Sequence, residues 1–332
     1  MNKKTKIIHT KDLNKIYIRF EKEEGLRGSI KSLFHREKVS KLAVNDFNMD
    51  INEGEFIGLI GPNGSGKTTL MKMLTGIISP TSGEISVLGY VPGELKNAYK
   101  KQFAIVMGQK SQLFQDISAA DTFLLLKEIY EIPEAECRKN LNYFIELFDI
   151  QNYLNVQVRT LSLGERMKME LVAALLHNPK ILYLDEPTIG LDAVAQKQIR
   201  GFLKEVNHNK GTTILLTSHY MDDIKSLCER CVVINNGRKI YDGNLDMLFS
   251  RYQTHKIITV SFDEATSYCP NFDVQAIEQS PFKLSFMAYR KDVRPIIGTI
   301  LSECEVNDIS IEEEGIGNII ERIYSDKGGE IE

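Results

Sequence analysis

Nine consecutive residues, Gly61-Pro62-Asn63-Gly64-Ser65-Gly66-Lys67-Thr68-Thr69, have the types and spacing that can grip a polyphosphate. They follow the pattern G-x-x-x-x-G-K-[ST]. Glycines let the backbone curl until several N–H groups converge on one anion. A helix opening at the end of such a loop adds partial positive charge. Lys67 would then reach the β- and γ-phosphates, and the Thr68 hydroxyl would ligate Mg²⁺. The flanks fit: Glu55–Ile60 reads as a buried strand, and Thr69–Leu74 as the start of a helix. The chain is expected to bind a nucleoside triphosphate.

A second set of groups lies about 120 residues on, where the apolar run Ile181-Leu182-Tyr183-Leu184 ends in Asp185-Glu186. Ligands of a parallel α/β sheet gather at the carboxyl ends of its strands. One carboxylate there can hold Mg²⁺, and its neighbour can orient or deprotonate an attacking water. Asp185 is assigned to the metal and Glu186 to the water. Acids ending a strand are common at surfaces, so this motif gains its weight from the loop at 61–69.

The elements that must position these groups follow from the hydrophobic pattern. Residues 6–20 read as a first strand region, from Lys6–His9 and Lys15–Ile18; strand signals return at Phe47–Ile51 and Phe56–Ile60, with a turn at Ser79–Gly83 and short strands within 84–110. Residues 118–178 read as mainly helical and interrupt the α/β pattern. The runs Ile181–Leu184 and Thr212–Thr217 are of the buried parallel-strand type, with a helical segment at 193–207 between them. Cys231–Ile234 followed by Asn235-Asn236-Gly237 reads as strand and hairpin turn. Beyond about residue 250 the pattern changes. Lys256–Phe262, Lys283–Ala288 and Val306–Ile311 alternate as half-buried strands, and 291–303 and 314–325 look helical. This gives a small α+β unit with no polar cluster that suggests chemistry.

Bulk properties exclude several classes. The chain has 332 residues, 42% of them hydrophobic and 26% charged, an ordinary globular balance. No apolar run approaches a membrane span, and Met-Asn-Lys-Lys-Thr-Lys lacks the apolar core of a secretory signal. The chain is expected to stay in the cytoplasm unless a partner holds it at a membrane. Five scattered cysteines suggest reduced thiols. Cys228-x-x-Cys231 lacks the second pair that zinc would want, so packing is the better reading. The net charge of −4 is unevenly spread: residues 1–41 carry twelve Lys/Arg against five Asp/Glu, a balance of +7 that leaves −11 on the rest. Within that arm Leu26, Ile30, Leu33 and Phe34 fall at helical spacing among basic residues. Two readings stand: a surface element for anionic lipid or a partner, or a helix packed on its own domain.

Leu161-Ser162-Leu163-Gly164-Glu165-Arg166 opens another helix, and at this point the chain resembles the ATP-binding subunit of an ABC transporter. In that family a segment L-S-G-G-Q, between the phosphate loop and the acidic strand, presents a helix N-terminus to the ATP of the opposite subunit. Ser162 and Gly164 match it. The order agrees along the chain: the loop at 61–69, Gln109, the signature at 161–165, Asp185-Glu186, Leu191-Asp192, then His219. The resemblance implies that Gln109 senses Mg²⁺ and water and contacts the permease. It makes Asp192 the aspartate of a loop crossing between subunits and His219 a contact of the γ-phosphate. Tyr17 resembles the aromatic that stacks on adenine, with Phe20 as its rival. Leu163 replaces the family's middle Gly, and Glu165 its Gln, which brings a negative charge that Arg166 could offset.

The resemblance covers about residues 6–245. It implies an α/β P-loop NTPase of ABC type, with a mixed sheet core and a helical subdomain at 118–160. The ATP-binding domain would span 1–250, including a basic amphipathic insertion at 21–40, and a small α+β domain would span 251–332. Val106-Met107-Gly108-Gln109 and Leu216-Thr217-Ser218-His219-Tyr220-Met221 are similar to a bacterial branch paired with ABC-2-type permeases, usually exporters. Polysaccharide-export subunits are the nearest rival within the class. The implied cofactors are ATP and Mg²⁺. The implied partners are a second ATP-binding subunit, head to tail, and an integral membrane permease, without nucleic acid. The implied place is the cytoplasmic face of the cell membrane, peripherally bound. Ribosome-acting relatives carry two phosphate loops and DNA-repair relatives a long coiled coil, whereas this chain has one loop and no such heptads. It also lacks the N-K-x-D element of guanine-reading enzymes.

Overall fold

A computed structural model describes residues 5–21, 37–108, 110–218, 220–265, 274–314 and the single positions 319 and 322. Its contacts divide the chain into two compact units, the larger running to Gly243 and the smaller beginning at Asn244.

The larger unit is built on a six-stranded sheet. Its strands are β3 (Phe56–Ile60), β5 (Phe103–Met107), β6 (Ile181–Asp185), β7 (Thr213–Thr217), β8 (Arg230–Asn235) and β9 (Arg238–Asn244), in the order β5-β6-β7-β3-β8-β9. From β5 to β8 all pairings are parallel. Every residue of β3 and β7 is buried, as strands covered on both faces must be. Helices α1 (Lys67–Leu74), α4 (Leu163–Leu175), α5 (Ala193–Lys210) and α6 (Met221–Leu227) accompany this sheet. β3 lies between β7 and β8, and the phosphate loop leaves its carboxyl end, next to the ends of β7 and β6. The phosphate loop, Asp185 and Thr217, far apart in sequence, are thereby brought to one edge of the sheet.

A second, antiparallel sheet has the order β2-β1-β4, from β1 (Lys6–Glu21), β2 (Glu37–Asn52) and β4 (Ser82–Val87). β1 covers the strand region expected at 6–20. The departure from the sequence reading is β2, which begins at Glu37, so residues 37–40 of the expected insertion are strand. The reason is cross-strand pairing: Ile18 faces Ser40 and Arg19 faces Val39, a tertiary contact invisible in a locally basic stretch. The amphipathic segment Leu26–Phe34 lies outside the described residues.

The mainly helical block holds α2 (Ala119–Ile129) and α3 (Glu134–Phe148). Ser118 opens α2 with a reciprocal cap, accepting from Asp121 N while the Asp121 side chain accepts from Ser118 N. Asn140 Nδ2 donates to Leu176 O at 2.9 Å, and Phe148 stacks on Phe202 at 3.6 Å, tying α3 to α5.

The smaller unit begins with α7 (Leu245–Tyr252). It contains the antiparallel sheet β11-β12-β10-β13 from β10 (His255–Ser261), β11 (Gln275–Ser280), β12 (Lys283–Tyr289) and β13 (Asp308–Glu313), and α8 (Val293–Glu303). Ile258, Val260, Leu284, Phe286, Ile296 and Ile300 form its core. β11 escaped the sequence reading because its polar residues do not alternate. Most of the expected helix 314–325 lies outside the described residues. Cys137, Cys228, Cys231 and Cys304 are free thiols. Burial pushes the Cys231 thiol up to about 12 and raises Cys228 well above its ordinary value, as expected of packed, inert cysteines.

Candidate active site

The phosphate loop curls as its glycines permit. Gly64 and Gly66 have φ of 78° and 114°, values that side chains oppose. A Cβ on Gly66 would also stand 2.4 Å from the Ala43 carbonyl oxygen, so glycine is required there on two counts. The Lys67 ammonium is buried and donates to Gly61 O at 2.7 Å and Pro62 O at 3.1 Å. Burial lowers its pKa, and the charges of Glu186 and Asp185 act in the opposite direction. Ser65 Oγ is buried without a hydrogen-bond partner. Buried hydroxyls are rarely left unpaired, so this one fits an anion seated in the loop.

Asp185, at the end of β6, accepts from Thr68 Oγ1 at 3.0 Å and from Thr217 Oγ1 at 2.6 Å. The proposed metal pair is therefore in direct contact, and Thr217 of the neighbouring strand fixes the carboxylate. Among the described residues no cluster of three or more His, Cys, Asp or Glu could hold a metal by itself. A cation held by Thr68 and Asp185 would need phosphate and water oxygens to complete its shell, as Mg²⁺ commonly does.

Glu186 adopts a left-handed backbone, φ 57°, a conformation that costs a non-glycine residue about 1–3 kcal/mol where the surroundings enforce it. Here its N–H donates to Thr217 O at 3.0 Å, and Gly108 packs against it so tightly that a Cβ would meet Glu186 O at 2.2 Å.

Tyr17, Arg19, Lys41, Ala43, Asn63, Gly64, Gly66, Lys67, Thr68, Thr69 and Glu186 line one cavity of about 230 Å³. The rest of the predicted nucleotide set lies elsewhere. Ser162 caps α4 through a reciprocal box with Glu165, whose carboxylate accepts from Ser162 N at 2.8 Å. That bond first, and the Ser162 hydroxyl after it, lowers the Glu165 pKa. The charge that replaces the family's Gln is thus turned back onto its own helix. A Cβ on Gly164 would lie 3.1 Å from the Ala195 Cβ, so α4 starts close against α5. Asp192 caps α5, accepting from Ala195 N at 2.8 Å. None of these three lines the cavity. Gln109 and His219 lie outside the described residues, as does the side chain of Phe20.

Arg19 and Lys41 were not found from sequence. Arg19 stands two residues beyond Tyr17, so strand periodicity could have placed it on the same face. Lys41 is opposite Tyr17, a pairing that only the register reveals.

A sequence profile described as ABC transporter matches residues 44–189. The chain is 31% identical over 214 residues to the ABC transporter ATP-binding protein NatA of Bacillus subtilis, covering 64% of this chain and 86% of NatA. The chain belongs to the ABC transporter ATP-binding family. It is an ATP-binding subunit of a transporter and an ATPase. It is also 36% identical over 208 residues to the Nod factor export ATP-binding protein I of Burkholderia thailandensis, covering 61% of this chain and 66% of that one. Among solved structures, a dimeric post-hydrolysis state of an ATP-binding cassette bound to ADP and Pi shares the fold, with TM-score 0.58 and 24% identity over 72% of this chain and 99% of the other. Cassettes of this family dimerise and pair with membrane components. No helix among the described residues is long and apolar enough to cross a membrane.

Proposed function

We propose that two copies of this subunit, head to tail at the cytoplasmic face of a membrane, clamp two ATP molecules and drive an exporter whose separate permease is of the ABC-2 type. The observation that carries the reading is the division of the site. One cavity gathers the loop, Tyr17 and Glu186, while Ser162, Gly164 and Asp192, at the starts of α4 and α5, do not line it. A head-to-tail pair completes both sites at once.

In this reading the loop amides and Lys67 grip the β- and γ-phosphates, and Tyr17 stacks on the base. Thr68 and Asp185 would hold Mg²⁺, with Gln109 as a further contact, and the ion would supply positive charge to offset that of the phosphates. Glu186 orients the attacking water and accepts its proton, and His219 contacts the γ-phosphate. The helix end at Ser162 and Gly164 stabilises the γ-phosphate held by the other copy. ATP closes the pair, and hydrolysis with phosphate release reopens it. The helical block exposes Leu124, Leu125 and Ile129 of α2, with Phe114 exposed just ahead of it, and exposed apolar side chains of this kind suit a permease helix. The export direction is supported by the phrases around Gln109 and His219 and by the relative named for Nod factor export.

The test is co-expression with a six-span permease encoded beside this chain. The complex should co-purify from membranes, hydrolyse ATP in preference to GTP, and lose hydrolysis on Lys67→Ala. Failure to co-purify, with full activity as a free protein, would remove the transport role.

A further inference from the structure

The Asp223 carboxylate is fully buried in α6 and none of the site's motifs includes it. Its Oδ2 accepts from Thr188 Oγ1 at 2.5 Å and from Ser218 Oγ at 2.7 Å, and its Oδ1 accepts from Arg200 Nη1 of α5 at 2.8 Å. Thr188 and Ser218 are themselves buried. A carboxylate this buried needs its hydrogen-bond partners, and here each partner comes from a different part of the chain.

Two of those parts flank the hydrolytic groups. Thr188 lies two residues past Glu186, inside a turn closed by Ile189 N to Glu186 O at 3.3 Å and Leu191 N to Thr188 O at 3.2 Å. Ser218 precedes position 219, and its Oγ also accepts from Tyr220 N at 3.0 Å. One carboxylate thus holds the turn that carries Glu186 and both neighbours of position 219.

We infer that Asp223 is a positioning residue for hydrolysis: it locks the 186–191 turn to the 218–220 segment, so the two approach or leave the γ-phosphate together. The inference rests on the ATPase reading above. It assigns no contact with nucleotide to Asp223. Its loss should therefore lower turnover rather than ATP affinity, because the loop and Tyr17 are untouched. Arg200 supplies the countercharge from α5, whose first residues follow Asp192. A shift at the start of α5 would accordingly be felt at both locked segments.

Removing the buried carboxylate could unfold the domain, so the decisive variants are Thr188→Val and Ser218→Ala, which each delete one hydroxyl. Each should lower kcat about tenfold while the Kd for ATP stays within about twofold. Each should raise amide hydrogen exchange at residues 217–221 of the nucleotide-free protein. The double variant should be no worse than the more severe single one, since both act through one carboxylate. Thr188→Ser should restore parent behaviour. Parent-level kcat in both single variants would overturn the inference, as would unchanged exchange, strictly additive losses, or a fall in affinity matching the fall in turnover. Lys67→Ala separates this outcome from failure of the ATPase reading: if that variant hydrolyses ATP like the parent, the reading itself fails. The exchange readout needs no hydrolysis and judges the lock by itself.

Discussion

The two ends of the nucleotide cavity are built differently. At the phosphate end Lys67, Ser65 and Thr217 are buried, and Asp185 is held by two hydroxyls. At the other end Tyr17, Arg19 and Lys41 stand on two paired strands, with Arg19 and Lys41 exposed. No ion pair joins either cation to a described residue. Groups held by several hydrogen bonds, as Lys67 and Asp185 are, are preorganised and keep their geometry. An exposed strand surface adapts, and each contact there contributes little because water and salt screen it. The contrast teaches that the chain fixes where phosphate chemistry occurs and leaves nucleoside recognition comparatively soft.

The hardest test of that contrast is Glu186→Gln. It keeps the shape of the phosphate end and removes the base, so steady-state turnover should fall about 100-fold or more with nucleotide affinity nearly unchanged. A weakened affinity of similar size would show that Glu186 mainly binds.

A buried group at the opposite end of the parallel strands, where β5 begins, has a pH signature. His177 stacks on Tyr130 at 3.9 Å, its Nε2 lies 3.2 Å from Phe103 O of β5, and its Nδ1 is buried without a partner. Burial drives its pKa down from 6.5 to about 4. The folded state therefore binds fewer protons than the unfolded chain between those values. Stability from this group is present above pH 6.5 and is lost as the pH falls toward 4, by up to about 3 kcal/mol. Denaturant unfolding of the parent and His177→Gln at pH 7.5 and pH 4.5 checks this: the variant should lose less on acidification. Equal losses would show that the site is wetter than its packing implies.

Milder effects are expected at the soft end. Arg19→Gln or Lys41→Gln should weaken ADP binding about threefold at low salt, by roughly 0.6 kcal/mol, and less at high salt. Titration with ADP and with adenosine sharpens the point, since only the charged ligand should respond. Smallest should be the loss of the α4 cap. Glu165→Gln keeps a side chain that can still accept from Ser162 N, so thermal unfolding should change by less than about 1 kcal/mol. A large drop would mean that the Glu165 charge matters beyond its own helix.

Much of this was legible in the sequence where local chemistry alone decides the structure. The strand–loop–helix around Lys67 is specified by glycine, lysine and flanking apolar runs, and the Asp185 strand by four apolar residues and two acids. What stayed hidden depends on pairing and burial at a distance. β2 reaches back to Glu37 because Ser40 and Val39 meet partners on β1, although their own stretch is polar. Thr217 holds Asp185 because β7 is the neighbour of β6, a fact of strand order. Nothing in the sequence distinguishes Asp223 from its neighbour Asp222, and only the packing of α6 on α5 identifies which is buried.

The central claim is that one chain carries two halves of two sites and completes neither alone. Light scattering of purified Glu186→Gln with and without saturating Mg²⁺ and ATP tests it most directly. The expected result is a monomer that becomes a dimer on adding ATP, with Ser162→Arg abolishing the shift while leaving monomer binding intact. A strictly monomeric Glu186→Gln protein with ATP bound, in the presence of its permease as well, would contradict the account.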